Sequence, residues 1–401
     1  MSRLIPGNII NQLRDDYDEI LQGLIKKGYE IESIPANRDS LSDKGESFSL
    51  AYPIQGILKY HGMVNKDHRI AYFPSVSLNN SSAFTTTYLK FDPSFKEDSA
   101  YLNGNLLSNN DLNRIKNSLD AIRYFSKTQS NALVVSRNTS NYLLSSTIGK
   151  GLGTSASGSA ALALAAVSII YDNNPDFAKN NRLISHFSRY LAGSGTRSAV
   201  GGFALWLSHP KIDPLDCYAI RLDKEEHRKF VEKISLISIS VDSELKTEQA
   251  HEVAPNSPFF VPWLKERKKK IFEFLEALES EDLNKIGEIA EYDSMCLHSI
   301  TTTGSYDQKL IAWKPTTIEI MLKVQELRAS GLNVYYTIDT GPSVVLITFN
   351  KEKDAIIKEL KQINPDFDIL EGKIEGPCKL IDANSSEARL LRNDINKVLN
   401  N

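Results

Sequence analysis

The sequence predicts an α+β fold in two domains, on three observations. The chain runs to 401 residues, which is long for a single hydrophobic core. Its earlier part alternates short β-branched and aromatic runs with helical patterns, while its last third reads helix, strand, tight turn, strand, helix, strand. That closing order suits a split βαβ, ferredoxin-like domain. The expected division is a helical extension at 1–47, a first domain at 48–242 and a second at 243–401.

Taken in order, residues 8–28 place Ile10, Leu13, Tyr17, Ile20, Leu21 and Leu24 at helical spacing, and Gly28 closes the pattern. This helix is expected as an addition to the domain that follows, used for packing or a dimer contact. Short strands are expected at Phe48–Ile57, Ala71–Val76 and Ala83–Phe91, the last favoured by Thr85, Thr86, Thr87 and Tyr88. A helix near 110–126 and a strand at Ala132–Val135 lead to a glycine- and serine-rich turn. Beyond it lie an Ala-rich helix at 154–171, a helix near 178–192 and a second glycine-rich stretch. Two strands, Tyr218–Arg221 and Leu236–Val241, are expected to close the first domain. The second opens with amphipathic helices at 258–279 and 280–299. It continues as helix 316–329, strand 333–338, turn, strand 343–349, helix 352–363 and strand 367–371.

Composition excludes several classes. Forty-seven Lys and Arg stand against 50 Asp and Glu, so the net charge of −3 leaves no broad basic face for nucleic acid or an acidic membrane. An anionic substrate would need a local cationic pocket. Cys217, Cys296 and Cys378 are too few and scattered for a disulfide framework, and no CxxC pair suggests zinc, so no metal site is expected. The start MSRLIPGNII has no apolar stretch of signal-peptide type, and the longest apolar run, Ala160 to Tyr171, is too short to span a bilayer. A cytoplasmic location is expected.

Four local signals carry chemistry. Gly149 to Gly158 (GKGLGTSASG) lies between a strand and a helix. Gly151 and Gly153 free the backbone to aim N–H groups at one spot, the helix start adds partial positive charge, and Thr154, Ser155 and Ser157 offer hydroxyls to a phosphate. A simple helix start with a flexible lead-in would look the same. The loop fits neither the dinucleotide GxGxxG pattern nor GxxxxGK[ST]. In Gly193 to Gly202 (GSGTRSAVGG), Arg197 sits among small residues, with Ser194 and Thr196 beside it, so a carboxylate could reach its guanidinium bidentately; otherwise it forms an ordinary salt bridge. Asp339 stands in a sharp turn, TIDTGPS, where aspartates also serve as caps. Lys59, followed by Tyr60, ends an apolar strand, the usual place of a solvated edge charge.

The order and spacing of these four signals, KYxG, GLGTSASG, GSGxRSxxGG and DTGPS, resemble the diphosphomevalonate decarboxylase branch of the GHMP kinase superfamily. The resemblance runs from about residue 48 to the C-terminus and includes Val135 to Asn138, Asp293, Ser294, His298 and Gly376-Pro377. It implies a GHMP kinase fold: an N-terminal domain like domain 2 of ribosomal protein S5, and a ferredoxin-like C-terminal domain. It also implies that Lys59 and Asp339 lie at the reacting carbon, that Arg197 holds the substrate carboxylate and that Ser155 belongs to the phosphate loop. The resemblance further implies that mevalonate 3-kinases, which stop at the phosphorylated intermediate, lack the lysine–acid pair.

The chain departs from that pattern in places. The second lysine of KYWGK is Met63, the loop around Arg197 is shorter, and Gln249 to Ala254 replaces a hydroxyl-rich segment, with His251 entering. These departures look like the variant that decarboxylates mevalonate 3,5-bisphosphate, with no cofactor required because C3 already carries phosphate. In an ATP-dependent decarboxylase of the mono- or diphosphate, ATP and Mg2+ would be needed. Lys246 and His251 are the candidates for a 5-phosphate, although buried histidines such as His61, His251 and His298 more often serve packing. A small-molecule kinase and a non-enzymatic ligand sensor on the same fold are the other classes. A homodimer is expected.

Overall fold

The computed structural model describes residues 5–140, 153–242, 247–305, 307 and 310–399. Three principal sheets carry the fold. A six-stranded sheet has the spatial order 379–380, 45–51, 83–92, 131–140, 99–102, 105–106. A four-stranded sheet runs 219–221, 203–206, 75–79, 54–58, and a second four-stranded sheet runs 334–337, 344–349, 234–239, 369–373.

The expected strand at 48–57 is two strands in two different sheets. Gly45–Ala51 pairs with Ala83–Asp92 in the six-stranded sheet, while Ile54–Leu58 pairs with Ser75–Asn79 in the next. Pro53 separates them, since a proline cannot donate to a ladder and restricts the residue before it. The strand expected at 71–76 accordingly begins later, at Ser75. The strand expected to close the first domain is also reassigned. Ile234–Ile239 is an interior strand of the last sheet, antiparallel to both Val344–Phe349 and Ile369–Lys373. All six of its residues are buried, so it carried no alternation to show which sheet it would join. With it in place the C-terminal sheet is a complete split βαβ arrangement.

The helix Thr154–Ile170 lies against the six-stranded sheet, and residues 156–170 apart from Gly158 are buried. Its run of alanines and serines keeps it thin enough to be covered on all sides. The second glycine-rich stretch holds a short buried helix, Gly195–Val200. Gly195 allows that approach: a Cβ there would stand 2.6 Å from Ser159 Cβ. The N-terminal helix Gly7–Lys26 is part of the main core, with Ile9, Leu13, Tyr17, Ile20 and Leu24 buried against the four-stranded sheet and the helix Phe260–Glu279. A hairpin at 99–106 and a C-terminal helix, Ser386–Leu399, were not foreseen. That last helix returns to the six-stranded sheet, where Leu391 and Ile395 pack on Tyr88, Leu133 and Val135, and Asp394 accepts from Arg137 at 2.6 Å. Lys379 and Leu380 pair there with Leu50 and Ser49, covering the sheet's edge strand. Among the described residues no helix is long and apolar enough to cross a membrane.

Candidate active site

Lys59 directly follows Ile54–Leu58, a strand buried at every position, so its side chain starts inside the protein and is only 3% exposed. Its peptide is gripped from both sides. The Lys59 N–H donates to Asp293 Oδ2 at 2.5 Å, and its carbonyl accepts from Arg267 Nη2 at 2.9 Å. Asp293 and Arg267 also pair with each other, both almost wholly buried. An ion pair in such a place offsets its desolvation only when further hydrogen bonds satisfy it, and the Lys59 peptide supplies two. The Lys59 ammonium donates to Ser294 Oγ at 2.9 Å. Burial pulls its pKa below the ordinary lysine value, against the attraction of Asp293 and Asp339.

Asp339 sits in the turn after the strand Val334–Thr337. Its Oδ1 accepts from the Gly56 N–H at 3.1 Å, and its carbonyl oxygen lies 2.7 Å from His298 Nε2. Gly56 is required there: a Cβ would fall 2.5 Å from Lys59 Cγ and 2.8 Å from Asp339 Oδ1. Burial raises the Asp339 pKa, while Lys59, the Gly56 N–H and Arg197 oppose the rise. Lys59 and Asp339 therefore face one spot, each pushed toward its neutral form by burial and held toward its charged form by the other.

Arg197, 2% exposed, comes from the helix Gly195–Val200. Its Nη1 donates to Ser75 Oγ at 2.6 Å, and its guanidinium lies over the rings of Tyr60 and Trp206 at 5.4 and 5.9 Å. Burial lowers its pKa to about 10, so it stays charged at neutral pH, and its buried Nε has no partner among the described residues. An arginine with an unpaired Nε edge suits a carboxylate, which brings two acceptors. Tyr60 stacks on His251, ring centroids 4.5 Å apart, and His251 Nδ1 lies 3.3 Å from His61 Nδ1.

Lys59, Tyr60, Arg197, His251 and Asp339 are thus brought together. The hydroxyls of Ser157 and Thr196 bond to other partners. Thr154 and Ser155 line a cavity of about 240 Å³ with Thr85, Ser136, Asn138 and Arg114. Gly153, with φ of +73°, begins that helix where a Cβ would meet the Ile54 carbonyl oxygen at 2.7 Å. The Ser157 hydroxyl is engaged by Thr85 Oγ1 at 2.6 Å and the Thr154 carbonyl at 3.0 Å. The Thr196 hydroxyl donates to the Gly193 carbonyl at 2.8 Å, and Ser194 is half-buried ahead of the short helix. Gly151 and Lys246 lie outside the described residues. Two residues of the cluster were missed. Arg267 carried a readable signal: with Phe260, Trp263, Leu264 and Ile271 it occupies the apolar face of its helix, where an unpaired charge is costly. Arg69 carried none, since it lies in the polar hairpin Asn65 to Ile70.

A two-domain architecture with a buried lysine, arginine and aspartate grouped together is the kind of site that suits an enzyme acting on a small anionic molecule. Comparison with known proteins sharpens this. Residues 51–219 match the diphosphomevalonate decarboxylase-like N-terminal domain and residues 254–398 the mevalonate 5-diphosphate decarboxylase C-terminal domain. The chain belongs to the diphosphomevalonate decarboxylase family. It is 28% identical to mevalonate 3,5-bisphosphate decarboxylase of Thermoplasma acidophilum, over 91% of this chain and 85% of that one. It is 27% identical to phosphomevalonate decarboxylase of Haloferax volcanii, over 83% and 96%. The crystal structure of mevalonate diphosphate decarboxylase from Staphylococcus aureus superposes with a TM-score of 0.74 at 25% identity, covering 84% of this chain and 98% of that one.

Proposed function

We propose that this chain decarboxylates mevalonate 3,5-bisphosphate to isopentenyl phosphate, CO2 and inorganic phosphate without ATP. The observation that carries the reading is the grouping of Lys59, Arg197 and Asp339, all buried and each acting on the charge of the others. The electron pair of the C–C bond to the carboxylate becomes the alkene as the C3–O bond to phosphate breaks. Arg197 aligns the carboxylate without losing its charge, Lys59 offsets charge growing on the departing phosphate, and Asp339 orients Lys59. Met63, where the family pattern has a second lysine, and the Thermoplasma relative support the 3,5-bisphosphate as substrate.

A second reading rests on the cavity beside Thr154 and Ser155, whose half-buried and exposed hydroxyls fit a phosphate-bearing ligand. There the chain would be an ATP- and Mg2+-dependent decarboxylase, and Asp339 would take the 3-hydroxyl proton. In the leading reading the same loop, with Gly151, Gly153 and Ser157, cradles the 3-phosphate, and Ser194, Thr196 and Lys246 stay within the proposed binding set. The division at 1–47, 48–242 and 243–401 is kept as a proposal, with strand 234–239 counted with the C-terminal sheet. A homodimeric cytoplasmic enzyme completes the reading, and light scattering checks the dimer.

The deciding assay gives purified protein mevalonate 3,5-bisphosphate without nucleotide or metal and follows CO2 and isopentenyl phosphate. Prompt product supports the leading reading. Turnover only of the mono- or diphosphate with Mg-ATP establishes the second. In either case Lys59→Ala and Asp339→Asn should each lower kcat by about 10³-fold or more, while substrate still binds by calorimetry within about tenfold.

A further inference from the structure

His251 is 7% exposed, and its buried Nε2 has no hydrogen-bond partner among the described residues. The hydrogen bonds around it fix which nitrogen carries the proton. Thr301 Oγ1 donates its single hydrogen to the Leu297 carbonyl at 2.9 Å, so toward His61 Nε2, at 3.0 Å, it can only accept. His61 therefore bears its proton on Nε2 and presents a bare Nδ1. His251 Nδ1, 3.3 Å away, must supply the hydrogen between the two rings. A neutral His251 is left with a lone pair on Nε2 and no donor to meet it.

The groups around this ring are cationic or neutral. Tyr60 stacks on one face, His61 and Thr301 lie at the Nδ1 side, and the charges of Arg69 and Arg197 act on it from two other elements. Its own helix contributes Glu248, which is largely exposed and 3.6 Å from Arg69 Nη2. Burial, with Arg69 and Arg197, draws the His251 pKa down to about 3. Arg69 is mostly buried, anchored by its Nε on the Tyr190 carbonyl at 3.1 Å, and holds a left-handed φ of +46° that a non-glycine residue adopts only when its surroundings impose it. Its contact with Glu248 is long for a charged hydrogen bond, so the terminal nitrogens are available to a stronger anion.

We propose that Arg69 and His251, with Tyr60 as platform, form a phosphate-monoester subsite, and that the monoester is held with one proton between a phosphate oxygen and His251 Nε2. Arg69 supplies the charge and leaves Glu248 for the ligand. A dianionic oxygen cannot face a bare nitrogen lone pair, so a proton has to accompany the ligand. The proton comes from the monoanionic ester below its second pKa of about 6, and from solvent above it. No bond other than the hydrogen bond forms. The inference rests on the proposed reaction for the identity of the ester, which would be the phosphate remote from the reacting carbon.

The test is titration calorimetry of the full chain with mevalonate 5-phosphate, which lacks the 3-phosphate leaving group, at pH 7.5 in two buffers of different ionisation enthalpy. Uptake of about one proton per site is expected, since the free ester is then mostly dianionic. Affinity should weaken about tenfold per pH unit above pH 7. His251→Asn should abolish the uptake, and Arg69→Met should weaken binding by about 30–100-fold with the uptake retained. Zero uptake by the unaltered protein overturns the inference with no variant needed. Inorganic phosphate binding as tightly as the ester overturns the assignment to a monoester. Turnover of the 3,5-bisphosphate without proton uptake would sink this inference alone, whereas uptake without turnover would sink the proposed reaction alone.

Discussion

Gly56 is where the two residues proposed to act on substrate come closest to a shared backbone atom, since its N–H holds Asp339 and its missing Cβ leaves room for the Lys59 stem. Gly56→Ala should lower kcat by about 10²-fold, because displacing a reacting group by an ångström is enough, while thermal unfolding shifts by only a few degrees. The pH profile of kcat follows from the same pair. Burial lowers the Lys59 pKa and raises that of Asp339. With both required charged, activity should fall on the alkaline side at a pH below the ordinary lysine range and on the acid side above the ordinary carboxylate range. Limbs at the ordinary values, measured as kcat against pH, would argue against that charge requirement. Lys59, Arg197 and Asp339 were legible because each is an ionisable side chain framed by apolar or glycine-rich sequence. Arg69 was not, because its surroundings in sequence are polar and its position is set by a backbone twist that composition does not encode. Ser157 and Thr196 have the right hydroxyls in the right motifs, yet those hydroxyls bond to Thr85, Thr154 and Gly193.

Among elements, the N-terminal helix was legible from its period and its role was not. Five large apolar side chains on it are buried, each contributing about 1.5–3 kcal/mol, so its removal would cost as much as a typical domain's whole stability. Gly23 sets how near it comes to the helix Phe260–Glu279, for a Cβ would lie 2.8 Å from Phe272 Cε1. Gly23→Val should lower stability by about 1–3 kcal/mol in urea titration, with the assay unchanged at temperatures where the protein stays folded. A variant as stable as the parent would place that helix outside the cooperative core. Strand Ile234–Ile239 illustrates the opposite case. Its existence was legible, but a strand buried on both faces gives no clue to its partners, and only the pairing with 344–349 and 369–373 shows it opening the ferredoxin-like sheet.

For the whole molecule, the buried histidines set an acid limit. His61, His186, His251 and His298 all have pKa values lowered first by burial, His251 and His298 to about 3. Below an unfolded value of about 6.5 the unfolded chain binds protons that the folded chain refuses. Stability should therefore fall as pH drops from 6.5 toward 3, by about 1.4 kcal/mol per pH unit for each such histidine. Asp339, whose raised pKa works in the other direction, offsets part of this. Calorimetric melting at pH 7 and pH 5 checks the sign, and an unchanged or higher melting temperature at pH 5 would contradict it.

The return of residues 379–399 to the first sheet has a consequence during synthesis. Gly45–Ala51 leaves the ribosome long before Lys379 and Leu380, which cover its open side, and before the helix that packs Leu391 and Ile395 on the same sheet. Until then the nascent polypeptide carries an unpaired strand edge and an uncovered apolar face, the features that recruit holding chaperones and invite pairing between neighbouring chains on a polysome. Emergence of residues 379–399, rather than completion of the first domain, is thus the event that closes this sheet.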